Sequence, residues 1–533
     1  MTRPRRFPAL ERGWGARAAC PGGCAPRRRC AAFLGAAGLC LLLGGCGGAA
    51  AGGGAMPAVA AAQPQPEVPA DAAAPPAPAA TEPSAAAASP ETALSPAEQY
   101  AGVRLANHVT PAMLRPDFWA ANRDTTVLMT PAEIETYNAA VAARLAPQDR
   151  MLDMAALGAD AVPGSEVRRM LANDPQAEAS WWINGQPMPE NYRQALAQNV
   201  RADKVPDTVT PRWGVTAGRV NVRIQPTADF AAQKQNEAFF DRMQQAELYW
   251  NEPVVVLHES ADGAWYYIAA DRMDGWVQKT DVALFGSRQD WLNWQRPADF
   301  LVVTANRFRL DYSTAQPALS EAELAMGTVL PLLPDGQAPA SLDGRVPYGN
   351  YLVQLPVRDA SGGVVLATAA VPVSAGVSRG YLPYTQHLLL RQIYEMQGTN
   401  YGWGGTQDAN DCSGVTGQVY RCFGLHLPRN SQSLSLLPGR RVELTGLDDA
   451  ARRAALAGMP AGTILCMPGH IVLYLGSDGG QPYGMSAVGG LTMPGAGAQR
   501  VLTMLLSDLT LERGGGVTWL QSLTAAVFPQ VTA

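Results

Sequence analysis

The spacing of apolar and polar positions changes several times along this chain, and each change predicts a different kind of structure. Ala31 to Leu43 is a continuous, mostly apolar run. A bilayer span needs about 20 apolar residues, so this run is too short to be one. From Gly47 to about Ser95 nearly every residue is Ala, Pro, Gly or Ser, and none is aromatic. Such a stretch buries too little surface to offset its conformational entropy, which predicts a disordered, semi-extended tether. Helical spacing sets in from about Gln99 to Lys204. There Thr130-Pro131-Ala132-Glu133 supplies an N-cap, a first-turn proline and a capping-box acid, and Ile134, Tyr137, Asn138 and Val141 follow at helical intervals.

The period shortens to that of strands from about Thr208 to Leu284. Val220-Asn221-Val222-Arg223 alternates; Val254-Val255-Val256-Leu257 and Trp265-Tyr266-Tyr267-Ile268 do so more loosely, with Asp262-Gly263 as a hairpin turn between them. A second β-rich block runs from about Phe300 to Ala375. Short strands separated by turn signals predict small barrels. Beyond Pro383 the pattern is mixed. His387 to Tyr394 and Asp411 to Phe423 read as helices, the second closed by Gly424, and Thr463 to Cys466 and Ile471 to Leu475 read as strands. Helices followed by strands predict an α+β domain.

Composition adds an address. The 533 residues are 47% hydrophobic and 16% charged, with a net charge of -5. Nothing there resembles the clustered basic surface of a nucleic-acid binder. The arginines that do cluster, from Arg3 to Arg29, precede the Ala31–Leu43 run and give it the form of an export signal. The run ends in Leu43-Gly44-Gly45-Cys46, which resembles a bacterial lipobox with Cys46 as the lipidated residue. The expectation is an exported lipoprotein, held to a membrane through Cys46 and facing the periplasm or cell envelope. Beyond Cys46 the remaining cysteines are Cys412, Cys422 and Cys466, without the spacing of a zinc site. Cys422 and Cys466 read either as a disulfide or as two buried thiols.

The candidate chemistry lies near the C-terminus. Asp411 can cap the helix that starts at Cys412, and the helix dipole there favours a thiolate. A free cysteine is also commonly a buried small hydrophobe. His470, one of five histidines, starts the strand Ile471-Val472-Leu473-Tyr474-Leu475 after a Pro468-Gly469 turn, where it can serve as the base a thiol nucleophile needs or be structural.

Together with Tyr401-Gly402-Trp403-Gly404-Gly405, Asp411-Cys412-Ser413-Gly414, Leu427-Pro428-Arg429 and Gly469-His470-Ile471-Val472, these residues resemble the NlpC/p60 family of bacterial cell-wall cysteine peptidases. Upstream, Asn221-Val222-Arg223 and Gly275-Trp276-Val277 look like a bacterial SH3-like domain, and the block around Gly327 to Leu332 looks like a second copy. The resemblance implies an α+β papain-like catalytic domain over 379–533, preceded by two small β-barrel SH3-like domains over 206–290 and 291–378. It also implies a helical stabilising region over 99–205, with the tether at 46–98 and the lipoprotein signal at 1–45.

The resemblance implies a hydrolase of peptidoglycan: a thiol protease cutting murein stem peptides or muropeptides, commonly between γ-D-glutamyl and the diamino acid, with no metal or other cofactor. Cys412 matches the nucleophile, His470 the base and Tyr401 the tyrosine of the oxyanion site. Asp411 matches the carboxylate that pairs with a substrate amine, a role compatible with capping; Ser413 and Trp403 match the pocket lining, although Tyr401 and Trp403 also fit as core aromatics. Glu252 matches loosely an SH3-domain acid that helps hold the amine. One departure stands out: the position that usually holds a histidine to orient the base is Ser486. That substitution favours a murein-binding protein without turnover as the alternative; another thiol enzyme on the same fold, acting on a different amide, is a further one.

Overall fold

The computed structural model describes residues 94–120, 125–148, 151–334, 336–493, 497–513 and 515–531. The arginine-rich segment, the lipobox with Cys46 and the Ala/Pro-rich stretch up to residue 93 lie outside the described residues. A capped helical turn, Pro96–Gln99, falls inside the stretch assigned to the tether, with Ser95 and Glu98 forming its capping box. Among the described residues no helix is long and apolar enough to cross a membrane.

Helix α1 (Pro131–Leu145) begins as its sequence demands: the Thr130 hydroxyl accepts from the Glu133 N–H, and the Glu133 carboxylate accepts from the Thr130 N–H. Two further helices follow, α2 (Gly164–Asn173) and α3 (Glu190–Val200). The 99–205 region does not pack as one layer. Ile134, Tyr137, Val141 and Leu145 join the core of the C-terminal domain. Val167, Met170 and Leu171 of α2 pack on the first barrel, and Trp181 and Leu196 form a third small core with Ile224 and Met243.

The first barrel has β1 (Arg212–Thr216), β2 (Val220–Arg223), β3 (Gln244–Leu248), β4 (Pro253–Glu259), β5 (Trp265–Ala270), β6 (Met273–Gln278) and β7 (Val282–Leu284), ordered β7-β1-β4-β5-β6-β2-β3. The loose alternation of β4 and β5 has a physical cause. Val254, Val256, Tyr266 and Ile268 face the barrel interior, while Val255, Leu257, Trp265 and Tyr267 pack beneath the helical region. Both faces are dry, so neither needs polar residues.

The second β unit contains β8 (Phe300–Val303), β9 (Arg307–Arg309), β10 (Glu323–Ala325), β11 (Val329–Pro331), the hairpin β12 (Asn350–Arg358) and β13 (Val364–Pro372), and β14 (Val377–Arg379). Trp250 of the first barrel enters its core and donates its indole N–H to the Pro356 carbonyl at 2.9 Å.

The C-terminal domain sets helices α4 (Gln386–Glu395), α5 (Cys412–Arg421) and α6 (Asp449–Ala457) against an antiparallel sheet. Its strands are β15 (Arg440–Glu443), β16 (Ile464–Met467), β17 (His470–Asp478), β18 (Gln481–Met493), β19 (Gly497–Asp508) and β20 (Ala525–Phe528), with the short helix α7 (Trp519–Ser522) before β20. The order is β15-β20-β16-β17-β18-β19. Helix α5 crosses β17 and β18, which brings its first residue to the start of β17. Cys422 and Cys466 are separate buried thiols, not a disulfide.

Candidate active site

Asp411 caps α5. Its Oδ1 accepts from the Gly414 N–H at 2.8 Å, and its Oδ2 accepts from the Gly404 N–H at 3.1 Å. Cys412, half-buried, is therefore the first helical residue. His470 opens β17, also half-buried, and the two side chains line one open cleft of about 540 Å³ with Tyr401, Trp403, Asp411 and Ser413. The opposite wall comes from Trp181 of the helical region and from Arg242, Gln244 and Arg272 of the first barrel.

Ser486 stands on β18 beside the imidazole. Its hydroxyl donates to the Ile471 carbonyl at 2.7 Å and lies 2.8 Å from His470 Nε2. A hydroxyl has one proton, so with that proton on the carbonyl it must accept from Nε2–H. The imidazole is thereby held as the Nε2–H tautomer, which leaves Nδ1 as the free base. Trp519 of α7 packs edge-on against the ring, with centroids 5.0 Å apart.

Burial and the nearby Asp411 charge push the Cys412 thiol up to about 12, although the Ile471 N–H hydrogen-bonds the sulfur and opposes the shift. Burial and the positive Arg513 lower His470 to about 4, with Asp411 opposing. Both shifts favour the uncharged forms, a thiol and an imidazole. Desolvation and the capping carboxylate thus work against the helix-start effect that would favour a thiolate.

Arg429 organises the acidic side of the cleft. It donates to both Asp411 oxygens at 3.0 and 2.9 Å, to Ser413 Oγ at 2.9 Å and to Glu247 Oε2 at 3.1 Å. Burial alone would raise the Asp411 pKa, but Arg429 holds the carboxyl below the usual carboxylate range. Two carboxylates share one guanidinium. Tyr401 is almost fully buried; burial, then the Asp411 charge, keep its phenol protonated. Trp403 packs against Phe240, with the Arg242 guanidinium 5.1 Å above its ring.

Residues 398–486 match the NlpC/P60 family, and residues 230–278 match the SH3 domain of the SH3b1 type. The chain carries an NlpC/P60 domain. It is similar to a solved NlpC/P60 endopeptidase from Photobacterium damselae subsp. piscicida, with 17% identity over 76% of this chain and 94% of that one, at a TM-score of 0.58. It is also similar to an NlpC/P60 family protein from Bacillus cereus ATCC 10987, with 17% identity over 54% of this chain and 83% of that one, at a TM-score of 0.38. No curated protein matches the chain. At this identity the first likeness speaks for the fold: an NlpC/P60 domain behind SH3-type β structure.

The NlpC/P60 cleft gathers Tyr401, Trp403, Asp411, Cys412, Ser413 and His470, with Ser486 behind the histidine. Glu252, expected from sequence to hold the amine, lies elsewhere. Its carboxylate is buried between Arg272, at 3.0 Å, and Arg421, and accepts from the Tyr249 N–H at 3.1 Å. Oε1 fastens the barrel to α5 through Arg421, and Oε2 pairs with Arg272 of the barrel itself. The barrel acid that lines the cleft is Asp274 of β6, whereas Glu247 is buried against Arg429; sequence reasoning missed Glu247 because Gln244 to Leu248 was not read as a strand. On β3 the alternation Ala246 in, Glu247 out, Leu248 in turns an acid towards the NlpC/P60 domain. Arg429 stood in a recognised motif without a role. Among the described residues, no group of three or more His, Cys, Asp or Glu side chains is arranged to hold a metal ion.

Proposed function

We propose that this protein is a peptidoglycan stem-peptide endopeptidase that cuts the γ-D-glutamyl–diamino acid bond, with Cys412 as nucleophile and His470 as base. The carrying observation is one cleft lined by the Cys412 thiol, the His470 imidazole and the Asp411 carboxylate paired with Arg429. Asp411, the carboxylate beside Cys412 in that cleft, suits the free ammonium of an N-terminal L-Ala. Ser413 and Trp403 shape the pocket around it. The chain is proposed to be exported and lipid-anchored through Cys46, which rests on its N-terminal sequence alone.

In the proposed reaction the Cys412 proton passes to His470 Nδ1 as sulfur attacks the scissile carbonyl. With both groups favouring their uncharged forms, this transfer is part of the attack. The Tyr401 hydroxyl and the Cys412 N–H hold the oxyanion. The imidazolium then gives its proton to the leaving amine, and the C–N bond breaks to leave a thioester. Water, deprotonated by His470, hydrolyses the thioester and restores the thiol.

The test is hydrolysis of L-Ala-γ-D-Glu-diaminopimelate by wild type and by Cys412→Ala. Release of the diamino acid by wild type alone supports the reading. Peptide binding without turnover would mean a murein-binding protein, the reading that Ser486 in place of a histidine favours.

A further inference from the structure

The segment between Tyr401 and Asp411 has an unusual backbone. Gln407 and Asp408 are consecutive non-glycine residues in the left-handed region, at φ 59° and 52°. Such a conformation lasts only where the surroundings over-determine it. Here they do, through side chains that belong to the two β units. Gln244 of β3 donates to the Gly404 carbonyl at 2.9 Å. Arg219, just before β2, donates to the Gly405 and Ala409 carbonyls at 3.2 and 2.6 Å, with its guanidinium over the Tyr249 ring. Arg307 of β9 donates to the Asp408 carbonyl and is braced by Glu323 at 3.0 Å.

This segment sets the site. At one end is Tyr401, at the other Asp411 and Cys412, and the Gly404 N–H ties its middle to Asp411 Oδ2. Behind it lies a cavity of about 270 Å³, lined by Arg219 and Asp408 among others. Without the guanidinium the backbone has somewhere to relax.

We infer that Arg219 and Arg307 are positioning residues: they clamp the backbone of residues 404–409 and thereby hold Tyr401 and Asp411 in register with Cys412. The two β units are then part of what positions the site, whatever else they bind. The inference rests on the peptidase reading for its kinetic consequence, but the clamp can be read independently of activity.

The experiment compares the full chain with Arg219→Ala, Arg219→Lys and Arg307→Gln by amide hydrogen exchange and by peptide hydrolysis. Exchange in 403–411 should rise in Arg219→Ala and Arg307→Gln while exchange in β16 and β17 stays at wild type. A displacement of this kind costs about 10- to 100-fold in rate, so kcat should fall by that order with KM less affected. Arg219→Lys should recover part of the loss, since an ammonium can serve one carbonyl, and millimolar guanidinium should restore part of the Arg219→Ala rate. Unchanged exchange in 403–411 in both loss variants would overturn the clamp. If Arg219→Ala fails to fold, Arg219→Lys and the surface variant Arg307→Gln carry the same comparison. Wild type without turnover would sink the peptidase reading, and exchange alone would then decide the clamp.

Discussion

Arg429 shows how much one side chain holds in this site. Only 11% of its side chain is exposed, and Glu247 and Asp411 beside it are 1% and 14% exposed. Removing one partner from a buried ion network leaves uncompensated charge and costs about 3–5 kcal/mol. Arg429→Ala should lose stability of that order in a urea titration. The Ser486 contact is weaker. One neutral hydrogen bond contributes about 1 kcal/mol, so Ser486→Ala should lower kcat roughly five- to tenfold, measured at saturating peptide. The pH dependence follows from burial of the base. Protonating His470 removes it, and its pKa lies near 4 rather than 6.5, so activity should persist below pH 6 and fail only near pH 4. A pH–rate profile with its acid limb at 6.5 would contradict this. Cys412 and His470 were legible in the sequence because each stands in a local motif, and Ser486 because it breaks one. The Arg429–Glu247 contact was not, since it joins residues 182 apart. Glu252 was chosen in its stead, an acid five positions along whose charge is spent on two arginines.

At the level of elements, the caps were the clearest signals. Thr130 and Asp411 each accept from the N–H three residues on, as a short polar side chain at a helix start is built to do. The strands β4 and β5 were legible as strands, yet their two-sided burial was not, because hydrophobic sequence alone does not say what covers the second face. The loop after Tyr401 was legible only as a run of glycines. Gly405 sits at φ +86°, and a Cβ there would come within 1.9 Å of Glu247 Oε2. Gly405→Ala must therefore displace either the loop or the buried acid. It should cost at least tenfold in kcat/KM and lower the thermal midpoint, and a variant with wild-type kinetics would show that the loop tolerates a different path.

Across the whole molecule, the segment before the barrels completes the core of the domain after them. Leu145 is fully buried in that shared core. Leu145→Ala should destabilise the protein by about 2–5 kcal/mol, and loss of peptidase activity on heating should move down with it, although the residue is remote in sequence from the cleft. That a β-rich block precedes a mixed C-terminal domain was legible from the changes of period along the chain, whereas this sharing was not, because periodicity reports which face is apolar and not which neighbour covers it. Tyr137 donates to the Pro438 carbonyl across 301 positions, and His108 meets Asp508 across 400. Chains are made N-terminus first, and contacts so distant in sequence form late. Helix α1 must therefore wait, its apolar stripe uncovered, until the segments around Gly424 and Pro438 about 300 residues on have been made.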